Sequence, residues 1–373
     1  MATVIEIIGV VSGVLGIIQF AQDAFPEKQK PGSSVRIAVG LDSAGGLNNA
    51  GGNVPGVALF NEVGGFLGQA QNNGQVQDGN FADLTVTQSS GQQAAYGLVQ
   101  AGSDAVCIAY TSITWPDGNQ YALTGDWGEA CGGSWYYSNI FVQSSGYKPK
   151  CMWIDSDGNQ PQTGFQVHFP EFRSDTSTIP QGKDVKKLCN SKAPFQYFTT
   201  AGPQTIDYWN ADGKTTSQST VPGKRVVNDG GSQKNRRAAA AAAPSAIVIT
   251  NGTDHSVKEL CDSKTSSGPD LLNLSEKSFC RMSDKKIFPQ CGGTVKDNCF
   301  DADGMQLVVG GKAARSPYSI VWDWKTPGKT FTSKAATSAK IAAREPYAEP
   351  QPYNNIIDWS VAGKVNNEPA KST

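Results

Sequence analysis

Aromatic and acidic side chains are concentrated between positions 115 and 137, a combination typical of sugar-binding proteins. Trp and Tyr rings stack on saccharides, and a pair of carboxylates can cleave a glycosidic bond. The acids are Asp117, Asp126 and Glu129. The rings of a hypothetical glycan platform are Trp115, Trp127, Trp135 and Tyr136. Because such rings are usually mostly buried, we favour a β-sheet core here and keep a glycan-binding or glycan-cleaving surface protein as the alternative.

Two loops spell Asp-x-Asp-Gly, at Asp155/Asp157 and at Asp301/Asp303. Alternate carboxylates of a tight loop can supply the hard oxygen ligands that Ca²⁺ requires. Neither loop has the downstream Glu of an EF-hand. Asp and Gly also build ordinary turns. We therefore predict turns and no cofactor, with calcium as the alternative.

Few residues could serve in histidine-based catalysis, since the chain has only two histidines, His168 and His255. We interpret His168 as structural, because it stands between apolar residues of a predicted strand. No nucleophile elbow, phosphate-binding loop or dinucleotide fingerprint occurs. The net charge of −1 shows no excess of positive charge of the kind that binds nucleic acid. The sequence thus favours a non-enzymatic protein without a nucleic-acid partner.

The eight cysteines divide four and four across a predicted domain boundary, and none form a Cys-x-x-Cys pair. This pattern predicts two disulfides per domain, with connectivity open, and an oxidising compartment. Two glycosylation sequons begin at Asn251 and Asn273. We expect an extracellular or cell-surface protein, with a cytoplasmic one as the alternative because no standard export signal is present. The disulfide candidates are Cys107, Cys131, Cys151, Cys189, Cys261, Cys280, Cys291 and Cys299.

From residue 34 onward, short apolar runs alternate with turn residues at intervals typical of all-β chains. The sequence therefore predicts a mainly β fold. We expect an antiparallel β-sandwich accompanied by a smaller, disulfide-stapled α+β or β module.

The first 25 residues are apolar enough that they must be buried. In a helical projection, the run has one broad apolar face and one narrower face of small or polar residues. Glu6 and the absence of an early positive charge argue against a signal peptide, and the run is short for a membrane span. Gly9/Gly13 and Ser12/Gly16 have spacings that let helices approach closely. The sequence predicts an N-terminal apolar helix.

This helix could pack on its own protein, on a second copy or, through residues 4–20, in a membrane. We expect a structural protein that forms homo-oligomers, including filaments, through the helix; a membrane-inserting protein is the third hypothesis. The predicted contact residues are Ile7, Ile8, Gly9, Val10, Val11, Gly13, Val14, Leu15, Gly16, Ile17 and Ile18.

Composition shifts along the chain predict its domain organisation. A basic and alanine-rich stretch separates the two modules, and its Arg236-Arg237 pair is a candidate processing site. The tail is Pro-, Lys- and Ala-rich, and residues 353–361 are the part expected to dock. The predicted segments are a helix (1–25), a linker (26–33), a β-sandwich domain (34–222), a linker (223–244), a small Cys-rich module (245–325) and an extended tail (326–373).

Several motifs resemble uncharacterised proteins of filamentous fungi. In the Cys-rich module they are residues 261–270, 279–282 and 288–291; in the sandwich domain they are 115–118 and 125–139. The resemblance implies a fungal source. It brings no established activity and no catalytic residue.

Overall fold

The computed structural model describes residues 5–11, 14–41, 50–88, 90–142, 146–175, 185–219, 246–310, 312–313, 318–319, 334–335 and 355–359. As predicted, the protein is mainly β, with antiparallel sheets, few helices and disulfides. The finer prediction of a single sandwich stays a prediction. No described helix is both long and apolar enough to cross a membrane.

The described residues fall into two compact units. Unit 1 holds the described residues between 5 and 219 together with Thr265–Ser267, and unit 2 holds 246–264 and those from 268 onward.

The described part of unit 1 consists of β-strands and two short α-helices. The helices are α1 (Asp126–Ala130) and α2 (Lys186–Asn190). The strands are β1 (Ile5–Val11), β2 (Val14–Phe20), β3 (Gly32–Val39), β4 (Gly52–Asn53), β5 (Gly56–Phe60), β6 (Phe66–Ala70), β7 (Gln75–Val76), β8 (Phe81–Thr87), β9 (Tyr96–Gln100), β10 (Val106–Thr114), β11 (Gln120–Thr124), β12 (Trp135–Tyr137), β13 (Lys150–Ile154), β14 (Gly164–His168), β15 (Phe195–Phe198), β16 (Thr205–Trp209) and β17 (Thr215–Ser219).

Two antiparallel sheets carry most of unit 1. One runs in the order β12-β13-β10-β3-β8, with β11 also paired to β10; the other runs β15-β14-β9-β5-β6. Strand β10 is buried along all nine residues and pairs with β3, β11 and β13. A strand covered on both faces needs a continuous apolar run rather than alternation, and residues 106–113 supply one apart from Thr111 and Ser112.

The N-terminal segment is the clearest correction to the sequence prediction. Residues 1–25 do not form an apolar helix in their described part: β1 and β2 form an antiparallel hairpin in which Ile7 pairs with Ile18. Ile and Val favour the pleated surface of a sheet over a helix, because branching at Cβ restricts their side-chain torsions. Gly9 lies opposite Gly16, and a Cβ at Gly9 would overlap the Ile18 side chain.

Two disulfides cross-link unit 1, in agreement with the predicted four-and-four division. Cys107 in β10 bonds to Cys151 in β13, and Cys131 after α1 bonds to Cys189 in α2. The second bond closes a loop with a sequence separation of 58 residues.

Unit 2 contains a mixed sheet in the order β21-β20-β19-β18-β27 and a small antiparallel sheet, β22-β23-β24. Its elements are β18 (Ala246–Thr250), α3 (Val257–Asp262), β19 (Asp270–Asn273), β20 (Ser278–Arg281), β21 (Lys286–Pro289), β22 (Cys299–Asp301), β23 (Gln306–Val309), β24 (Lys312–Ala313), β25 (Tyr318–Ser319), β26 (Lys334–Ala335) and β27 (Asn355–Asp358).

The disulfides Cys261–Cys280 and Cys291–Cys299 lie in unit 2, so all eight cysteines of the chain are paired. The N-cap of α3 is Ser256, whose side chain accepts from the Glu259 N–H. In the tail, β27 pairs in parallel with β18. Trp359 is buried beside His255, with ring centroids 4.8 Å apart.

Candidate functional site

The rings of the hypothetical glycan platform are all buried. Trp127, Trp135 and Tyr136 have no exposed surface, and Trp115 is 2 % exposed. Trp115 donates its indole N–H to the Ala94 carbonyl at 3.2 Å. Trp127 packs edge-on against Phe172. A saccharide needs an open ring face, so these four rings are core residues and the platform prediction is wrong for this structure.

The neighbouring carboxylates are occupied by protein partners. Asp126 is 4 % exposed and accepts hydrogen bonds from the Tyr147 hydroxyl at 2.7 Å and the Lys150 N–H at 2.9 Å. Glu129 forms an ion pair with the Lys150 ammonium, which also lies 4.5 Å above the Trp135 ring. Asp117 sits in a turn and accepts from the Asn119 N–H. The arrangement therefore orders the end of β13 and presents no acid pair to a substrate.

Burial raises the pKa of the Asp126 carboxyl to about 6. Its partner Tyr147 is also perturbed, and burial raises the pKa of that hydroxyl as well. The Tyr147 oxygen lies 3.3 Å from the Val10 carbonyl of β1. Tyr147 and Lys150 were missed by sequence reasoning, because their hydrogen bonds to Asp126 join positions 21 and 24 residues apart and no local pattern signals them.

Both Asp-x-Asp-Gly loops are turns held by their own backbone. Asp155 Oδ2 accepts from the N–H groups of Gly158 and Asn159 at 3.1 and 2.7 Å. Asp301 Oδ1 accepts from the Asp303 N–H at 3.1 Å. Within the described part of the chain, no group of three or more His, Cys, Asp or Glu side chains is arranged to hold a metal ion. Calcium at Asp155 and Asp157, or at Asp301 and Asp303, stays an untested alternative.

His168 is buried in β14 and makes structural contacts. Its Nε2 lies 2.8 Å from a carboxylate oxygen of Glu62, in the turn between β5 and β6. The imidazole stacks on Tyr96 at 4.2 Å and meets Trp209 edge-on at 5.4 Å. The ring thus connects β14 to the β5–β6 turn and to β16.

Most of the predicted oligomerisation residues are buried within unit 1. Ile7 and Ile8 have no exposed surface, and Val10, Leu15 and Ile18 are at most 8 % exposed. Gly9 is buried and Gly16 half-buried. Gly13, the side chain of Val14 and the candidate processing pair Arg236-Arg237 lie outside the described residues. The broad apolar face predicted for a helix is therefore not available to a partner.

Two apolar side chains of the hairpin remain in solvent. Ile17 is 50 % exposed in β2, and Val11 is 38 % exposed at the end of β1. Leu15, Ile18 and Phe20 of β2 are buried, and the Phe20 and Tyr110 ring centroids lie 5.4 Å apart. Ile17 is thus an isolated apolar residue on the outermost strand of the hairpin.

Within the part of the chain that the structure describes, β2 pairs with another strand along one edge only, the edge shared with β1. On β1, the Glu6 carbonyl accepts from the Ser174 N–H at 3.0 Å, and the Val10 carbonyl oxygen lies 3.3 Å from the Tyr147 hydroxyl oxygen, so both carbonyls point away from β2. Two residues directly opposite each other in an antiparallel pair either both point their N–H and C=O groups toward the partner strand or both point them away from it. The residues that face them, Gln19 and Leu15, therefore direct theirs outward, and so does Ile17 between them.

We define these outward groups of Leu15, Ile17 and Gln19 as the β2 edge. Among the described residues, none forms a backbone hydrogen bond to it. A row of unpaired N–H and C=O groups is a template for another strand. The β2 edge is the candidate interaction site of unit 1.

Comparison with known proteins adds no identification. No protein-family model matches the chain, and no curated protein matches it significantly.

Proposed function

We propose that the protein is a non-enzymatic structural protein of an oxidising, extracellular or cell-surface compartment, and that it self-associates through the β2 edge. Four disulfides that use every cysteine support the compartment. The open β2 edge, with Ile17 half-exposed at its centre, carries the self-association part. We retain the single sandwich for unit 1 and the fungal source as parts of this proposal.

A second copy is the partner best suited to this edge. Two β2 strands related by a two-fold axis through Ile17 would pair antiparallel, with Leu15 opposite Gln19 of the other copy. Such a two-fold interface is self-complementary. The two Ile17 residues would form a hydrogen-bonded pair with their Cα atoms about 5.5 Å apart. Their side chains would lie on one face and would cover each other from water.

This geometry limits the size of the assembly. If two copies pair through the β2 edge across a two-fold axis, the assembly stops at a dimer, because the edge is then occupied on both copies. A filament would need a second surface.

Sedimentation velocity over a range of concentrations tests the proposal on the full, oxidised chain. We expect reversible dimer formation. Ile17→Pro removes the central outward N–H, and proline is tolerated at such an edge position; Ile17→Lys places a charge opposite its own copy. Both should abolish the dimer.

The matched control is Val63→Lys, which adds the same charge at an apolar side chain that is 65 % exposed in the β5–β6 turn. It should dimerise as the natural chain does. A natural chain that remains monomeric, or Ile17 variants that dimerise normally while retaining native near-ultraviolet circular dichroism, would overturn the proposal. Deletion of residues 1–25 is not a clean test, since it removes the buried side chains of Ile7, Ile18 and Phe20.

A further inference from the structure

The two glycosylation sequons meet at one edge of the unit 2 sheet. Strands β18 and β19 are parallel, and their last residues, Thr250 and Asn273, are directly paired. The first sequon starts at Asn251, immediately after β18, and the second starts at Asn273 itself. The two asparagines are therefore neighbours in space with different environments.

Asn273 is fully buried, and its amide is used by the fold. Its Nδ2 donates to the carbonyls of Gly252 and His255 at 2.9 and 2.7 Å. Its Oδ1 accepts from the N–H groups of Ser275 and Glu276 at 2.9 and 3.1 Å. A sugar on Nδ2 would displace one donated bond and would need space that the fold does not leave.

Asn251 is exposed, and so is Thr253, the hydroxyl residue of its sequon. The turn that carries them is held by the second sequon. The Ser275 hydroxyl donates to the Asn251 carbonyl at 2.7 Å, and Asn273 holds the Gly252 carbonyl. The residues of the second sequon therefore fix the backbone that presents the first.

We propose that Asn251 is an N-glycan acceptor of this chain, and that Asn273 is a structural amide that carries no glycan in the folded protein. The donor is a lipid diphosphate-linked oligosaccharide. Asn251 Nδ2 forms a bond to the anomeric carbon and loses one proton, while the bond from that carbon to the diphosphate breaks and the lipid diphosphate leaves. The inference rests on the oxidising, secretory compartment of the proposed function.

The test expresses the full chain behind an appended secretion leader in a host that performs N-glycosylation. Peptide N-glycosidase in ¹⁸O-labelled water marks each formerly glycosylated asparagine for mass spectrometry. We expect the label at Asn251, none at Asn273, and a single step in electrophoretic mobility on deglycosylation.

Matched variants show which asparagine causes the mobility step. Thr253→Ala should abolish it, whereas Thr253→Ser, which keeps the sequon, should retain it. Ser275→Thr keeps both sequons and a hydroxyl at the position that binds the Asn251 carbonyl, so it should also retain the step.

A label at Asn273 in protein with all four disulfides formed would overturn the inference. The absence of any glycan on the protein secreted with the appended leader would also overturn it. Self-association is measured separately on the glycan-free Thr253→Ala protein. Failure of the β2 dimer therefore leaves the glycosylation result standing, and the reverse also holds.

Discussion

The Tyr147 hydroxyl donates a hydrogen bond of 2.7 Å to the buried carboxylate of Asp126. The same hydroxyl oxygen lies 3.3 Å from the Val10 carbonyl. One phenol thus touches both the acid at the start of α1 and the N-terminal hairpin. A buried carboxylate with a raised pKa in this position ties the stability of unit 1 to pH.

Asp126→Asn should reduce the pH dependence of stability. The folded pKa of about 6 exceeds the ordinary value of 3.8. The stabilising contribution is therefore complete below about pH 4 and is lost as pH rises through about 6. The gap corresponds to at most about 3 kcal/mol. Urea unfolding at pH 4, 5, 6 and 7 should show the natural chain losing stability with rising pH and the variant losing less.

Burial also raises the pKa of Asp155, so some pH dependence should persist in Asp126→Asn. Asp155→Asn is the companion variant. If the natural chain and Asp126→Asn lost the same unfolding free energy between pH 4 and pH 7, the assignment to Asp126 would be contradicted.

Phe20→Ala should destabilise unit 1 by about 3–5 kcal/mol, the usual cost of truncating a buried Phe. Phe20 has no exposed surface and contacts Tyr110 and Phe25 with ring centroids 5.4 and 5.9 Å apart. The control Ile17→Ala, at a half-exposed position of the same strand, should cost about 1 kcal/mol or less. Equal effects in urea denaturation would show that the hairpin is not part of the core.

Trp135→Ala should lower the unfolding free energy by about 3–5 kcal/mol, because the ring is fully buried. Its loss also exposes the Lys150 ammonium, which lies 4.5 Å over the ring. A conservative Trp135→Phe change should recover most of the stability. Glycan-array binding by the natural chain that disappears in a stably folded Trp135→Phe protein would instead restore the glycan-platform hypothesis.

Replacing both cysteines of the Cys131–Cys189 bond with serine should destabilise more than the same change at Cys291–Cys299. The bonds span sequence separations of 58 and 8 residues. The loss of chain entropy in the unfolded state corresponds to about 4 and about 2.5 kcal/mol respectively. Denaturation of each variant, with intact mass confirming the three remaining disulfides, measures the difference; a reversed order would indicate that native-state strain dominates.

The local sequence pattern was sufficient to predict many strands. Two examples are Gln120–Thr124 and Ala246–Thr250, which both form strands. Apolar runs rich in Val, Ile and aromatic residues, bounded by turn residues, commit the backbone to extended structure before any tertiary contact forms. The even cysteine count, divided four and four, likewise predicted two disulfides in each half.

The N-terminal segment shows why the pattern was insufficient there. An apolar run can bury itself either as a helix or as two strands, and the sequence held a missed signal for the second. Ser12-Gly13 is a two-residue turn dipeptide between runs of Ile and Val, a typical hairpin signal. What decides the outcome is the surface formed by Tyr110, Phe25 and the neighbouring strands, which receives Phe20.

The sequence by itself determined the β class, the pairing of the cysteines in disulfides and the need to bury the apolar residues between 5 and 20. Only the tertiary structure decided which side chains remained for a partner. It buried Trp135 and Asn273, left Ile17 and Asn251 exposed, and bridged Asp126 and Glu129 through Lys150. The physical reason is that exposure and hydrogen-bond partnership depend on contacts between distant positions, which local periodicity does not encode.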